Sequence, residues 1–136
     1  MHNAEVLRAN QRFYEALNAL LRGDMTPMRE IWSHSPDITN LGPFGECLVG
    51  PDAVLGQFAM ESRMNFGGKV EAVVVRVFAT KELGYAVCIE KGENMNVDGH
   101  AVQVEHRATN IFRYEGGLWK LVHHHTDLSS SLRKNA

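Results

Sequence analysis

Two imidazoles two residues apart on one strand are the chemistry-bearing feature that stands out in this chain. The segment Gly116-Gly117-Leu118-Trp119-Lys120-Leu121-Val122-His123-His124-His125-Thr126-Asp127 opens with a tight turn and continues as a strand. Alternate side chains of a strand share a face. Regular alternation therefore puts Trp119, Leu121, His123 and His125 on one side, and Lys120, Val122, His124 and Thr126 on the other. An aromatic, an aliphatic and two imidazoles on one face suit a concave, half-apolar surface. Free imidazole titrates near pH 6.5, so His123 and His125 are the candidate general acid–base pair or ligand hydrogen-bonders. The plainer alternative is that both rings are satisfied by neighbouring hydroxyls or carbonyls. The same pair could hold a metal ion, with Glu90 and His106 to complete the set. No fixed ligand spacing demands one, so the expectation is a site without metal or other cofactor.

Other polar residues fall on two strands that must stand beside this one. In the stretch 101–114, Val104, His106, Ala108, Asn110 and Phe112 share the more apolar side, which is expected to face inward with the Asn110 amide towards a pocket. Arg107 lies on the opposite side with Glu105, and is a secondary candidate for an anionic group if a β-bulge exchanges the faces. Along Tyr85-Ala86-Val87-Cys88-Ile89-Glu90, alternation puts Tyr85, Val87 and Ile89 towards the core and leaves Glu90 outside unless a bulge turns it in. Burial would then raise its pKa and make it a candidate acid or base. Tyr14, Trp32 and Phe58 are the candidate aromatic walls, although tryptophans such as Trp32 and Trp119 more often fill cores.

The elements that position these residues follow from periodicity. Val6, Ala9, Phe13, Leu17 and Leu20 form one stripe of a helix over 4–22, stopped at Gly23. Asp24 or Thr26 caps a short second helix with Pro27 in its first turn, and Gly50-Pro51-Asp52 starts a third. Short extended pieces are expected at 38–41 and 46–49, around a Gly42-Pro43-Phe44-Gly45 turn. β-Branched stretches then give strands at 70–80, 84–91, 101–114 and 118–127, with 92–99 as a polar loop. Three helices followed by an antiparallel meander is an α+β plan.

The order of these elements, with Leu20-Leu21-Arg22-Gly23-Asp24, the Gly-Pro-Phe-Gly turn and the closing Trp119 to His125, resembles the SnoaL-like, ketosteroid isomerase-like branch of the nuclear transport factor two superfamily. The resemblance covers about 5–127. It implies a cone: a strongly curved antiparallel sheet wrapped around N-terminal helices (a cystatin-like plan), with a pocket at the open end. The superfamily holds isomerases, cyclases, a dehydratase and a kinase association domain, so fold alone does not fix activity. Ketosteroid isomerases carry a general-base aspartate just before the Pro of their Pro-x-Gly turn. Gly42 stands there in this chain, so steroid isomerase chemistry does not carry over.

Composition bounds the rest. The 136 residues are 44% hydrophobic and 22% charged, with a net charge of −2, which gives no footprint for nucleic acid or an anionic membrane. One domain over 1–136 is expected, with a core at about 5–127 and a polar, frayed tail over 128–136. Cys47 and Cys88 lack paired spacing and read as reduced thiols of a cytoplasmic protein. No start resembles a secretory signal, and no apolar run reaches the ~20 residues of a membrane span. The expected partners are a small organic molecule, bound with or without acid–base catalysis, and a second copy of the chain in a homodimer. The alternative is a non-catalytic binding or oligomerisation module.

Overall fold

The computed structural model describes residues 2–127; the expected tail at 128–136 lies outside the described residues. Three helices, α1 (His2–Leu21), α2 (Thr26–Ile31) and α3 (Pro51–Ser62), pack against a sheet of six strands. The strands are β1 (Thr39–Leu41), β2 (Leu48–Val49), β3 (Lys69–Ala79), β4 (Leu83–Val97), β5 (His100–Glu115) and β6 (Leu118–Asp127). Their spatial order is β2-β1-β6-β5-β4-β3 in an α+β arrangement whose curved sheet stays unclosed. Strands β3 to β6 form the expected meander, while β1 runs parallel to β6, pairing Thr39 with His123 and Leu41 with His125.

The expected polar loop at 92–99 is strand instead. β4 continues to Val97 and returns through a two-residue turn, Asp98-Gly99, with φ of 51° and 81°. Asp-Gly is the sequence signal of a hairpin turn that needs positive φ at both positions. The extension carries Met95 and Val97 to the mouth of the sheet's inner hollow.

The inner face of β4 is also the reverse of the one expected. Ala86, Cys88 and Glu90 are buried, while Tyr85 is 42% exposed. Size decides the face: α1 lies so close that a Cβ on Gly84 would come within 2.7 Å of Val6 Cγ2. The small side chains Gly84, Ala86 and Cys88 go under the helix, and the bulky β-formers go to the outer face. The helix contributes Val6, Ala9, Phe13, Ala16 and Leu20, all almost fully buried, to the core.

A second irregularity governs β6. Ile111 pairs with His123, but Phe112 pairs with Leu121, so Val122 is an extra residue opposite no partner. Such a bulge inverts the facing of everything beyond it. Leu121 and Val122 are both buried, and from there the inward positions are His124 and Thr126.

Gly84→Val should therefore lower unfolding stability by about 1–3 kcal/mol, the usual cost of overpacking. Urea denaturation measures it; an unchanged midpoint would show that α1 does not press on β4.

Candidate functional site

The curved sheet and the helices enclose a hollow of about 260 Å³. Leu17 and Leu21 of α1, Phe58 of α3, Phe66 and the β4–β5 hairpin give it an apolar wall. Its polar groups are Asn40, Glu61, Glu90, His106 and His124. Larger hollows exist on the outer face, but they are open grooves and do not bring Glu90, His106 and His124 together.

At the inner end stands a connected buried cluster. The Tyr14 hydroxyl, on α1, donates to Glu90 Oε2 at 2.7 Å and lies 3.3 Å from Cys88 Sγ. His106 Nδ1, on β5, is 3.4 Å from Glu90 Oε1. Burial alone would raise the Glu90 carboxyl, but the His106 hydrogen bond first, then the nearby His124 imidazole and the Tyr14 hydroxyl, hold it below the ordinary carboxylate value. Glu90 is thus a buried anion. Burial, reinforced by that anion, pushes the Tyr14 phenol well above its ordinary value, so Tyr14 stays a donor.

Asn110, fully buried on β5, orders the other half of the cluster. Its Nδ2 donates to Asn10 Oδ1 at 2.8 Å and to the Tyr14 hydroxyl at 3.1 Å. Its Oδ1 is therefore the acceptor for His124 Nδ1, to which it is hydrogen-bonded. That bond puts the proton of a neutral His124 on Nδ1 and leaves a lone pair on Nε2, 3.8 Å from Glu90 Oε2. Burial drives the His124 pKa down to about 4, against a partial pull upwards from Glu90. The arrangement presents a neutral base beside a fixed anion, at the wall of an apolar hollow.

A further carboxylate sits on α3. Glu61 is 8% exposed and takes a hydrogen bond from Gln57 Nε2 at 3.0 Å. Burial, with help from the nearby Glu46, raises its pKa to about 7 despite that bond. Periodicity along α3 could have found it: Val54, Phe58 and Glu61 recur at four and three residues, a stripe that turns inward.

The placement of the expected site residues divides cleanly. Tyr14, Glu90, His106 and Asn110 meet in the cluster, and Phe58 lines the hollow. Trp32 is fully buried beside Phe58, ring centroids 6.0 Å apart, and stands behind the wall rather than on it. Arg107 faces outward and pairs with Asp127 through two hydrogen bonds of 2.9 and 2.8 Å. His123 and His125 are the principal correction. The Val122 bulge turns both to the outer side, where His123 Nδ1 meets Thr39 Oγ1 at 2.6 Å and His125 is exposed. The imidazole that enters is His124, assigned to the opposite face by regular alternation.

A family model described as a SnoaL-like domain matches residues 6–129. The chain belongs to the SnoaL-like domain family. Among solved structures, this SnoaL-like domain is similar to a proposed dehydratase of the NTF2-like family from Streptomyces avermitilis, with 25% identity, 93% of this chain and 95% of that one covered, and a TM-score of 0.81. It also shares its fold with a protein of cystatin-like fold from Caulobacter vibrioides (18% identity, 97% and 92% covered, TM-score 0.77). The association domain of the C. elegans kinase CaMKII aligns at 15% identity over 92% and 94% of the chains, with a TM-score of 0.70. A comparison with curated proteins returns no match.

The two shifted groups tilt the pH dependence of folding in opposite directions. His124 falls from 6.5 to about 4 on folding, so the unfolded chain binds the extra proton. Its contribution is complete above pH 6.5 and is lost as the pH falls towards 4. Glu61 rises from 4.5 to about 7, so its contribution is complete below pH 4.5 and is lost as the pH climbs to 7. Between pH 4.5 and 6.5, His124→Asn should make stability fall with pH relative to the parent, and Glu61→Gln should make it rise. Urea midpoints across that range decide; parallel profiles for all three proteins would contradict both assignments.

Proposed function

We propose that this SnoaL-like domain binds a small, partly apolar organic molecule in the inner hollow and performs cofactor-free acid–base chemistry on it. The supporting observation is the His124–Glu90 pair: a buried neutral imidazole, its tautomer set by Asn110, with its Nε2 lone pair beside a carboxylate at the cavity wall. A base is useful when it is unprotonated at working pH and within reach of the proton it takes. His124 meets the first condition because burial keeps it neutral. On taking a proton, Nε2 would become the positive end of an ion pair with Glu90, which offsets part of the cost that burial puts on that charge. Returning the proton to a second atom of the same molecule is an isomerisation. Returning it to a leaving hydroxyl is a dehydration, the activity proposed for the Streptomyces avermitilis relative.

The Tyr14–Glu90–His106 bonds hold the carboxylate in place, and Asn110 positions the imidazole without touching the ligand. Phe58, Phe66 and the leucines of α1 pack the apolar part. A volume of about 260 Å³ is below the roughly 300–1,000 Å³ of drug-sized sites, so the ligand is of single-ring size. The free thiols Cys47 and Cys88 fit a cytoplasmic setting.

In heavy water, a single-ring ketone bound by the protein should exchange its α-protons. His124→Asn keeps a donor for Asn110 but deletes Nε2, and should slow that exchange by about 10²–10⁴-fold, the usual worth of a positioned base. NMR integration of the α-protons gives the rate. Equal rates for variant and parent would end the base assignment.

A second reading, a homodimeric assembly module, is favoured by the outer sheet face. Val74, Phe78 and Tyr85 are 65%, 55% and 42% exposed there, with the last two rings 5.4 Å apart. Covering them by two-fold pairing of copies would remove apolar surface from water without occupying the hollow. Phe78→Glu should convert a dimer into a monomer in light scattering; a monomeric parent would remove this reading.

A further inference from the structure

The hollow has a second polar end, and its chemistry is one-sided. Glu61 stands on the α3 wall, and Asn40 on the β1 wall. Asn40 is 1% exposed, yet its Oδ1 has no hydrogen-bond donor among the described residues. Glu46 Oε1 is likewise buried without a donor, and it lies against Gly42, where a Cβ would collide with it. Three acceptors therefore converge around the Gly42 turn; Gln57 donates to Glu61, and the nearby Asn40 Nδ2 is the other side-chain donor beside the turn. Buried acceptors without donors are rare in native proteins and ask what completes them. Neither Lys nor Arg lines the hollow. Among the described residues no group of three or more His, Cys, Asp and Glu is arranged to hold a metal ion.

Two aromatic faces accompany these acceptors. Phe44, 58% exposed, stacks on Phe66 with centroids 6.1 Å apart and planes 14° from parallel, and both rings line the hollow. Rings beside carboxylates form a site for an organic cation, because the ring quadrupole and the anion both attract it. A carboxylate or phosphate ligand would meet Glu61, Glu90 and the orphan carbonyl with no Lys or Arg on the lining to offset them.

We propose that the hollow selects a small organic amine, its ammonium seated between Glu61, Asn40 and the Phe44–Phe66 pair, and its apolar body directed towards His124 and Glu90. This rests on the ligand-binding reading above and names the substrate class for it. The ammonium supplies up to three donors to acceptors that otherwise have none. Anchoring at Glu61 leaves the far end of the molecule at the His124 base, so the reacting atom is not the nitrogen. The titratable groups facing this seat are Glu61 of α3, Glu46 beside the Gly42 turn, and Glu90, His106 and His124 of the sheet. Glu61 changes charge near neutrality, so amine binding should strengthen as the pH rises through about 7.

Three probes of one skeleton separate the possibilities: benzylamine, benzyl alcohol and benzoate, titrated by calorimetry at pH 5.5 and 8.0. At pH 8.0 the amine should bind at least tenfold more tightly than the alcohol, and benzoate should not saturate. The preference for amine over alcohol should shrink at pH 5.5. Glu61→Gln should remove most of the preference while leaving alcohol affinity within about twofold of the parent. The pH series on the parent needs no variant, so a misfolded Glu61→Gln does not obscure the result. Alcohol binding without a preference for amine at pH 8.0 overturns the amine assignment and leaves the ligand-binding reading standing. Tighter binding of benzoate than of benzylamine also overturns it. Failure of all three probes to bind overturns the assignment together with the reading beneath it.

Discussion

One extra residue in β6, Val122, sets which imidazole the interior receives. Before the bulge, Trp119 and Leu121 point inward; after it, His124 and Thr126 do. Without it, His123 and His125 would face the helices and His124 would face water. His124 is held in place from two sides: β1 runs parallel along β6, and Asn110 on β5 bonds its Nδ1. The bulge also adds local twist, which a strongly curved sheet requires. A feature that bends the sheet thus also delivers the base.

Burial of the Glu90 carboxylate follows from a second constraint, the close approach of α1. A helix pressed onto β4 needs small residues beneath it, and Gly84, Ala86 and Cys88 supply them. The same alternation carries Glu90 inward. Placing an ionised carboxylate away from water costs several kcal/mol, which only a full set of donors offsets. Tyr14 and His106 provide them, and Tyr14 comes from the helix whose proximity caused the burial. Asn110 links this group to His124, so the anion, the phenol and the imidazole behave as one connected network.

The hollow then has two unlike ends. At the inner end Tyr14, Glu90, His106, Asn110 and His124 each have a hydrogen-bond partner within the protein. The end beside the Gly42 turn is rich in acceptors and poor in donors, with Glu61 driven up by burial and Asn40 Oδ1 left open. A saturated catalytic network opposite an unsatisfied anchoring region is the polarity expected where one end of a ligand is held and the other reacts.

Much of this architecture was legible in the chain itself. The helix stripes, the Gly-Gly and Gly-Pro turns and the β-branched strands gave the α+β class and the order of elements, although the N-cap position of α2 is Met25 rather than Asp24 or Thr26, without a side-chain cap bond. The family model matching 6–129 agrees with the SnoaL-like resemblance. The apolar side of β5 placed His106 and Asn110 together, because alternation is local and β5 keeps it from His106 to Phe112. The sequence alone determined what depends on neighbours along the chain: periodicity, turn chemistry and the supply of titratable groups. Only the tertiary structure decided what depends on neighbours across it. The bulge at Val122 reveals itself through pairing with β5, the facing of β4 through the closeness of α1, and the charge states of Glu61 and His124 through burial. Each is a long-range steric or dielectric effect, and a sequence pattern of period two carries no record of it.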